Sequence, residues 1–133
     1  MRLQSLILLG LFSLGSACFA QAAAPGSALE LYDQCRAGIK LDEGAKSLSV
    51  KEETDAFVCL GFVRGVARTV NFMSVGGWDK TLPKAFKSCV PDSVSSIELS
   101  RVVVKFLDDN PQNLHYTNTL VTLAAFGHVY PCS

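Results

Sequence analysis

Cysteine and histidine are the residue types in this chain whose chemistry could be catalytic or metal-binding. The sequence holds five cysteines and two histidines. Beyond Cys18, which lies near the N-terminus, the cysteines are Cys35, Cys59, Cys89 and Cys132. Catalytic and zinc-binding cysteines usually come close together, as in Cys-x-x-Cys, whereas these four are 24 or more positions apart. Their spacing therefore favours two structural disulfides.

A nucleophilic Cys/His pair is the main catalytic alternative, for instance Cys89 with His128. We regard it as the weaker interpretation, because four cysteines are better used in two bridges and no segment marks an oxyanion hole. The sequence also lacks a phosphate loop, a dinucleotide fingerprint, a His-x-x-x-His pair and an EF-hand spacing. We therefore expect no enzyme activity, no cofactor and no metal site.

Residues 1–22 are typical of a cleaved signal peptide. Arg2 supplies the positive charge, and residues 6–14 form an apolar run too short to span a bilayer. The tripeptide Ala20-Gln21-Ala22 matches an A-x-A cleavage site, although a cut after Ala20 is nearly as good. A lipid anchor at Cys18 is the less favoured alternative. We expect export to the periplasm or exterior, where disulfides form.

Residues 23–133 form one predicted domain. The leader removes one base and no acid, so the mature chain has one more acidic than basic residue. A chain this close to neutral lacks the excess of basic residues that nucleic-acid binding requires, and it has no polybasic patch for a membrane surface. No stretch after the leader reads as long and apolar enough to span a membrane.

Three capping-box patterns and their apolar periods predict helices. Ser27 with Glu30 begins the first, which runs to about residue 39. Ser49 with Glu52 begins the second, predicted to be the most buried. Apolar residues then recur at helical spacing: Leu29, Tyr32, Cys35 and Ile39 in the first helix; Ala56, Cys59, Val63, Val66, Val70 and Met73 in the second.

Gly61 and Gly65 lie on a neighbouring face of the second helix, one turn apart. A glycine inside a helix costs roughly 1 kcal/mol relative to alanine, so a compensating contact is expected. We predict that another helix approaches this face closely. A functional groove is the alternative.

Ser95 with Glu98 begins the third predicted helix, and either Asn110-Pro111 or Thr117 begins the fourth. The third buries Leu99, Val102, Val103, Phe106 and Leu107, and the fourth buries Leu120, Leu123, Ala124 and Gly127. The predicted fold is all-α, a small four-helix domain of two helical hairpins stapled by two disulfides.

Helix order predicts the disulfide pairing. A short link makes the first two helices antiparallel neighbours, which brings Cys35 to Cys59. The same geometry brings the start of the third helix to the end of the fourth, and so Cys89 to Cys132. Two other pairings of four cysteines remain possible.

The long break between the second and third helices is the predicted partner-binding region. Loops longer than about 12–15 residues are often functional, and tryptophan is favoured as a binding anchor. The residues we single out are Gly76, Gly77, Trp78, Asp79 and Lys80. Folding of Trp78 back onto the core is the alternative interpretation.

The order of these features resembles a known family. Six stretches carry the resemblance: residues 31–35 (Leu-Tyr-Asp-Gln-Cys), 57–65 (Phe-Val-Cys-Leu-Gly-Phe-Val-Arg-Gly), 89–91 (Cys-Val-Pro), 102–111 (Val-Val-Val-Lys-Phe-Leu-Asp-Asp-Asn-Pro), 120–121 (Leu-Val) and 130–132 (Tyr-Pro-Cys). Through these stretches the chain is similar, over residues 29–132, to the Rap/Tai immunity proteins, which are exported and all-helical.

That resemblance implies a protein inhibitor. Its partner would be a peptidoglycan amidase that a type VI secretion system delivers. In the periplasm, a protruding loop of the inhibitor would occlude the Cys/His cleft of that amidase. It also implies a homodimer. The alternatives are a periplasmic acid-stress chaperone, for which 18% charged residues is low, and an orphan helical binding module.

Overall fold

Four α-helices make up the fold, as predicted. The computed structural model describes residues 24–132, and the predicted leader lies outside them. The helices are α1 (Ala28–Asp42), α2 (Val50–Val75), α3 (Ser96–Asp109) and α4 (Asn118–Val129). Short 3-10 helices occur at Trp78–Thr81, Lys84–Phe86 and Pro111–Asn113. Residues 24–132 contain no β-strand, only two isolated bridges between loop residues.

Capping boxes begin α2 and α3, as the sequence predicts. Each serine accepts a hydrogen bond from the glutamate N–H, and each glutamate carboxylate accepts one from the serine N–H. Those backbone bonds from Ser49 and Ser95 hold the pKa of Glu52 and Glu98 below its usual range. At α1 the box is incomplete. The Glu30 carboxylate accepts a hydrogen bond from the Gly26 N–H, at 2.6 Å, and not from the N–H of Ser27.

One face of α2 packs into the core along the predicted stripe. Ala56, Cys59, Val63 and Val70 are at most 4% exposed. Val66 and Met73 are only half-buried. The prediction that α2 is the most buried helix is wrong, because its opposite face leaves Phe57 66% exposed and Val75 91% exposed.

The predicted close packing on Gly61 and Gly65 is also wrong. Both glycines are exposed, and a Cβ added at either would have no neighbour within 4 Å. The close approach between α1 and α2 occurs at Gly38, where a Cβ would lie 3.7 Å from the Ala56 carbonyl oxygen. The core uses the Ala56 side of α2, so within residues 24–132 no other helix packs closely against either glycine, although Gly65 borders a groove that Leu123 of α4 also lines.

By length and composition alone α2 could cross a membrane, contrary to the expectation from the sequence. Only Arg64 and Arg68 interrupt its last twenty residues with charge. Within the described chain, this helix packs one face against the other three helices.

The fourth helix begins at the later of the two predicted positions, with Thr117 as N-cap. Its core face is rotated from the predicted one and consists of Val121, Thr122, Ala125 and Phe126. Because α4 is apolar on nearly every side, periodicity could not locate that face. Gly127 lies instead against Lys84–Phe86, where a Cβ would meet the Ala85 carbonyl oxygen at 2.1 Å.

Both predicted disulfides are confirmed. Cys35–Cys59 joins α1 to α2, and Cys89–Cys132 joins the segment before α3 to the chain beyond α4. Their environments differ. Cys35 and Cys59 are fully buried, whereas Cys89 is exposed and Cys132 half-buried.

Candidate partner-binding surface

Two glycines shape the turn that ends α2. Gly76 is the C-cap, and its N–H donates to the Phe72 carbonyl at 3.0 Å. Gly77 has φ of 69°, a left-handed conformation that glycine adopts without the steric cost of a Cβ. The chain therefore turns back over the end of the helix and enters Trp78–Thr81.

Trp78 uses the space that Gly76 leaves. A Cβ at Gly76 would touch the indole ring at 3.4 Å, so the ring lies across the helix end. It meets Phe72 edge to face, with ring centroids 5.4 Å apart. Trp78 remains 62% exposed and Phe72 64% exposed. The tryptophan has not folded back into the core.

The far end of this loop is held firmly against the helical body. Asn71 donates to the Val90 carbonyl at 2.7 Å and accepts from the Val90 N–H at 3.1 Å. The Cys89 N–H donates to the Tyr130 carbonyl at 2.8 Å, beside the Cys89–Cys132 disulfide. The loop is thus anchored to α2 and to the C-terminal end of α4.

Positive charge predominates along the loop. Lys80, Lys84 and Lys87 stand against a single acid, Asp79, between residues 76 and 88. Among the side chains that the structure describes, none of these lysines forms an ion pair with a carboxylate. Arg68, on the adjoining turn of α2, pairs with Asp92. The surface therefore suits a partner with an acidic rim.

Two grooves border the end of α2. One, of about 490 Å³, lies between Arg68, Phe72 and Val75 on the helix and Val90 on the returning chain. The other, of about 520 Å³, is lined mainly by apolar side chains: Phe62, Val66, Met73, Leu82 and Leu123. Phe72 with Trp78 forms an exposed aromatic pair beside these grooves, an arrangement that can anchor a protein partner.

The disulfide excludes the Cys89/His128 nucleophilic pair. Cys89 is bonded to Cys132, so it has no free thiol for a nucleophilic pair with His128. Within residues 24–132, no three His, Cys, Asp or Glu side chains lie close enough to hold a metal ion. His115 lies elsewhere and packs on Tyr116, with 4.6 Å between ring centroids.

The structure brings Gly76, Gly77 and Trp78 together around the turn, and the Lys80 stem lies 3.8 Å from a Cβ built at Gly77. Phe72 and Val75 belong to the same exposed surface, but they are not among the binding residues predicted from the sequence. Both fall outside the buried stripe of α2. Apolar residues that break the period of a helical stripe were the signal that could have revealed them.

Comparison with known proteins identifies the family. The family model described as Rap1a immunity proteins matches residues 27–132. Neither the curated proteins nor the solved structures contain a significant match. The matched range contains all four helices and both disulfides. Because this match covers well over half of the sequence, the chain belongs to the Rap1a immunity protein family.

Proposed function

We propose that this protein is an exported immunity protein that binds a type VI secretion peptidoglycan amidase and occludes its active site. Membership of the immunity family over residues 27–132 carries this proposal. It supports an inhibitor of a secreted effector over an enzyme. The resemblance of its cysteine frame to Rap/Tai proteins supports an amidase as that effector.

The surface at the end of α2 supports a mode of inhibition. Trp78 stands exposed on a short 3-10 helix with Lys80 two residues further on. An aromatic anchor with a basic flank can enter an apolar cleft with an acidic rim and exclude substrate from it. The binding surface we propose comprises Gly76 to Lys80 as predicted, extended by Phe72 and Val75.

The proposed compartment is the periplasm. The domain contains two disulfides. Disulfides persist in oxidising compartments and are rare in the cytosol. Cleavage of residues 1–22 would release the domain there. N-terminal sequencing of the protein from a periplasmic fraction should begin at residue 23 or 21, whereas a lipid-modified N-terminus at Cys18 would indicate the anchored alternative.

The decisive experiment first searches the genes next to this one for a secreted amidase with a Cys/His pair, and then purifies that amidase. The absence of such a gene would count against the proposal. The purified amidase should cleave isolated peptidoglycan, and the oxidised immunity protein should abolish that cleavage at one equivalent per amidase. Calorimetry should give a one-to-one complex per chain. Peptidoglycan cleavage that continues with the protein in excess, in the absence of any binding heat, would refute the proposal.

As a cellular control, the amidase is directed to the periplasm of a host that lacks this gene. Cells should lyse without the immunity protein and survive with it. A version of the immunity protein without residues 1–22, kept in the cytosol, should give no protection. Equal protection by both versions would contradict the proposed periplasmic site of action.

The resemblance also implies that two copies of the chain form a homodimer. We include this in the proposal as the functional unit.

A further inference from the structure

The two disulfides of the described chain differ in their access to solvent. Cys35 and Cys59 are fully buried within the hydrophobic core cluster, whereas Cys89 is exposed and Cys132 half-buried. Because a thiol must reach a sulfur atom to reduce a disulfide, exposed bridges are typically the labile or regulatory ones. A thiol reagent can therefore distinguish the two bridges in the folded protein.

Cys132 lies on the wall of a basic groove. This groove, of about 830 Å³, is also lined by Lys84 and Lys87, and none of the described residues that line it is acidic. Within residues 24–132, neither lysine forms an ion pair with a carboxylate. A nearby positive charge lowers the pKa of a thiol, and a thiol of lower pKa leaves faster in disulfide exchange. The groove therefore favours departure of Cys132 as a thiolate.

Cys89 lines a different groove, in which the charges are balanced. Arg68 and Asp92 line that groove as well, and they form an ion pair with each other. Cys89 is also the more exposed of the two cysteines. An attacking thiolate therefore reaches Cys89 more easily, while the basic groove stabilises the thiolate of Cys132. The two sulfur atoms are thus suited to different roles in an exchange reaction.

We propose that Cys89–Cys132 is an exchange site, at which a dithiol protein of the Cys-x-x-Cys class reduces this chain. A thiolate of the dithiol attacks the Cys89 sulfur, the disulfide breaks, and Cys132 leaves as a thiolate. The second thiolate of the dithiol then attacks the sulfur of its own neighbour in the mixed disulfide, and Cys89 leaves in the same way. The dithiol is oxidised to a disulfide by loss of two electrons, and the exchange site is reduced to two thiols. The two protons that the dithiol loses equal those that the two cysteines gain.

Reduction weakens the junction between the loop and the chain beyond α4. Without the covalent bond, the junction keeps the hydrogen bond from the Cys89 N–H to the Tyr130 carbonyl and the backbone bridge between Ser88 and Pro131. The buried Ser88 hydroxyl has no hydrogen-bond partner among the described residues, so its side chain adds no hydrogen bond there. Reduction therefore leaves this junction with main-chain contacts alone.

The loop that ends at this junction carries the proposed effector contact at Trp78. An anchor on an ordered loop loses less conformational entropy on binding than one on a mobile loop. The reduced protein should therefore bind the effector more weakly than the oxidised protein. This consequence rests on the proposed function, whereas the exchange reaction does not. The exchange site thus couples the supply of dithiols to the affinity of the inhibitor.

The first test measures the rate of exchange in the exported, oxidised protein, by addition of dithiothreitol, alkylation and peptide mapping. Lys84→Gln combined with Lys87→Gln should slow reduction of the exchange site by about three- to tenfold, because the departing Cys132 thiolate loses the positive charge beside it. Lys46→Gln combined with Lys51→Gln is the control, since it removes the same charge near the N-terminal end of α2. It should leave the rate unchanged. Equal slowing by both pairs, or by neither, would overturn the role of the groove.

A trapping experiment identifies the sulfur that is attacked. A thioredoxin variant with Cys-x-x-Ser lacks the second thiol, so a mixed disulfide with the folded protein should accumulate. Peptide mapping should find that disulfide on Cys89. Linkage to Cys132, or no mixed disulfide with the folded protein, would overturn the proposed exchange.

The effect on the effector is measured by calorimetry with the amidase. Wild type reduced only at the exchange site, and the variant Cys89→Ser combined with Cys132→Ser, should both bind with a dissociation constant about three- to tenfold higher than that of the oxidised protein. Circular dichroism verifies that each is folded at the temperature used. Equal affinity with and without the bridge would overturn the coupling. If oxidised wild type itself fails to bind, the proposed function fails, while the rate and trapping measurements still decide whether the exchange site exists.

Discussion

Phe72 and Trp78 pack edge to face with 5.4 Å between their ring centroids, yet each ring remains more than 60% exposed. The pair is therefore fixed in position without belonging to the core. An aromatic anchor that is already ordered loses little conformational entropy when it enters a partner. This relationship is the structural basis for placing the effector contact at the end of α2.

Replacement of Trp78 should separate binding from stability. Trp78→Ala removes an exposed ring, so we expect its dissociation constant for the amidase to rise by at least about tenfold, the effect of losing about 1.4 kcal/mol. The melting temperature should change little. Calorimetry of the complex and thermal unfolding of the free protein measure the two effects.

Leu29→Ala is the matched control, since this exposed apolar residue lies on α1. It should leave amidase binding unchanged. A Trp78→Ala variant that melts much earlier and still binds normally would show that the indole supports the fold and that the contact lies elsewhere.

Glycine substitutions should have opposite effects on α4 and α2. Gly127→Ala places a methyl group 2.1 Å from the Ala85 carbonyl oxygen, so it should destabilise the protein by about 1–3 kcal/mol. Gly61→Ala meets no atom within 4 Å and should stabilise the isolated chain by up to about 1 kcal/mol. Urea unfolding at low protein concentration, under oxidising conditions, compares the two. Destabilisation by Gly61→Ala there would mean that the face is occupied within one chain.

The two capping boxes should make stability fall in acid. The pKa values of Glu52 and Glu98 are lowered in the folded protein by hydrogen bonds from Ser49 and Ser95. A carboxylate with a lowered folded pKa contributes stability above its unfolded pKa, about 4.3 for glutamate. That contribution disappears as the pH falls through the folded pKa.

Glu52→Gln combined with Glu98→Gln should therefore flatten the acid limb of the stability curve measured by urea unfolding from neutral pH downwards. Glu53→Gln is the control, because Glu53 also lies in the first turn of α2 but is not part of the box. An acid limb of unchanged steepness in the double variant would exclude the caps as its source.

The two disulfides should be reduced in a defined order. Thiol reductants must reach a sulfur atom, and Cys89 is exposed whereas Cys35 and Cys59 are fully buried. Under limiting dithiothreitol, alkylation followed by peptide mapping should label Cys89 and Cys132 first. In urea-unfolded protein both bridges should react together. Early labelling of Cys35 in the native protein would contradict the burial of that bridge.

The sequence by itself determined which segments become helices, and helix order favoured the cysteine pairing that the structure then decided. Ser49 with Glu52 and Ser95 with Glu98 are local signals, because a cap needs only residues three positions apart. The Cys35–Cys59 pairing followed from helix order and a short link. The face of α2 that enters the core was likewise visible, since Ala56, Cys59, Val63 and Val70 share one period.

Only the tertiary structure decided what covers the remaining faces. An interior glycine looks the same in sequence whether a helix crosses it, as at Gly38, or nothing within the described chain does, as at Gly61. Likewise α4 is apolar on nearly every side, so the contact with Ala85 and not periodicity sets the environment of Gly127. The exposure of Trp78 depended on the path of the turn at Gly77. The surroundings of these residues depend on contacts between segments that are distant in sequence. Local sequence patterns and helix propensity do not encode such contacts.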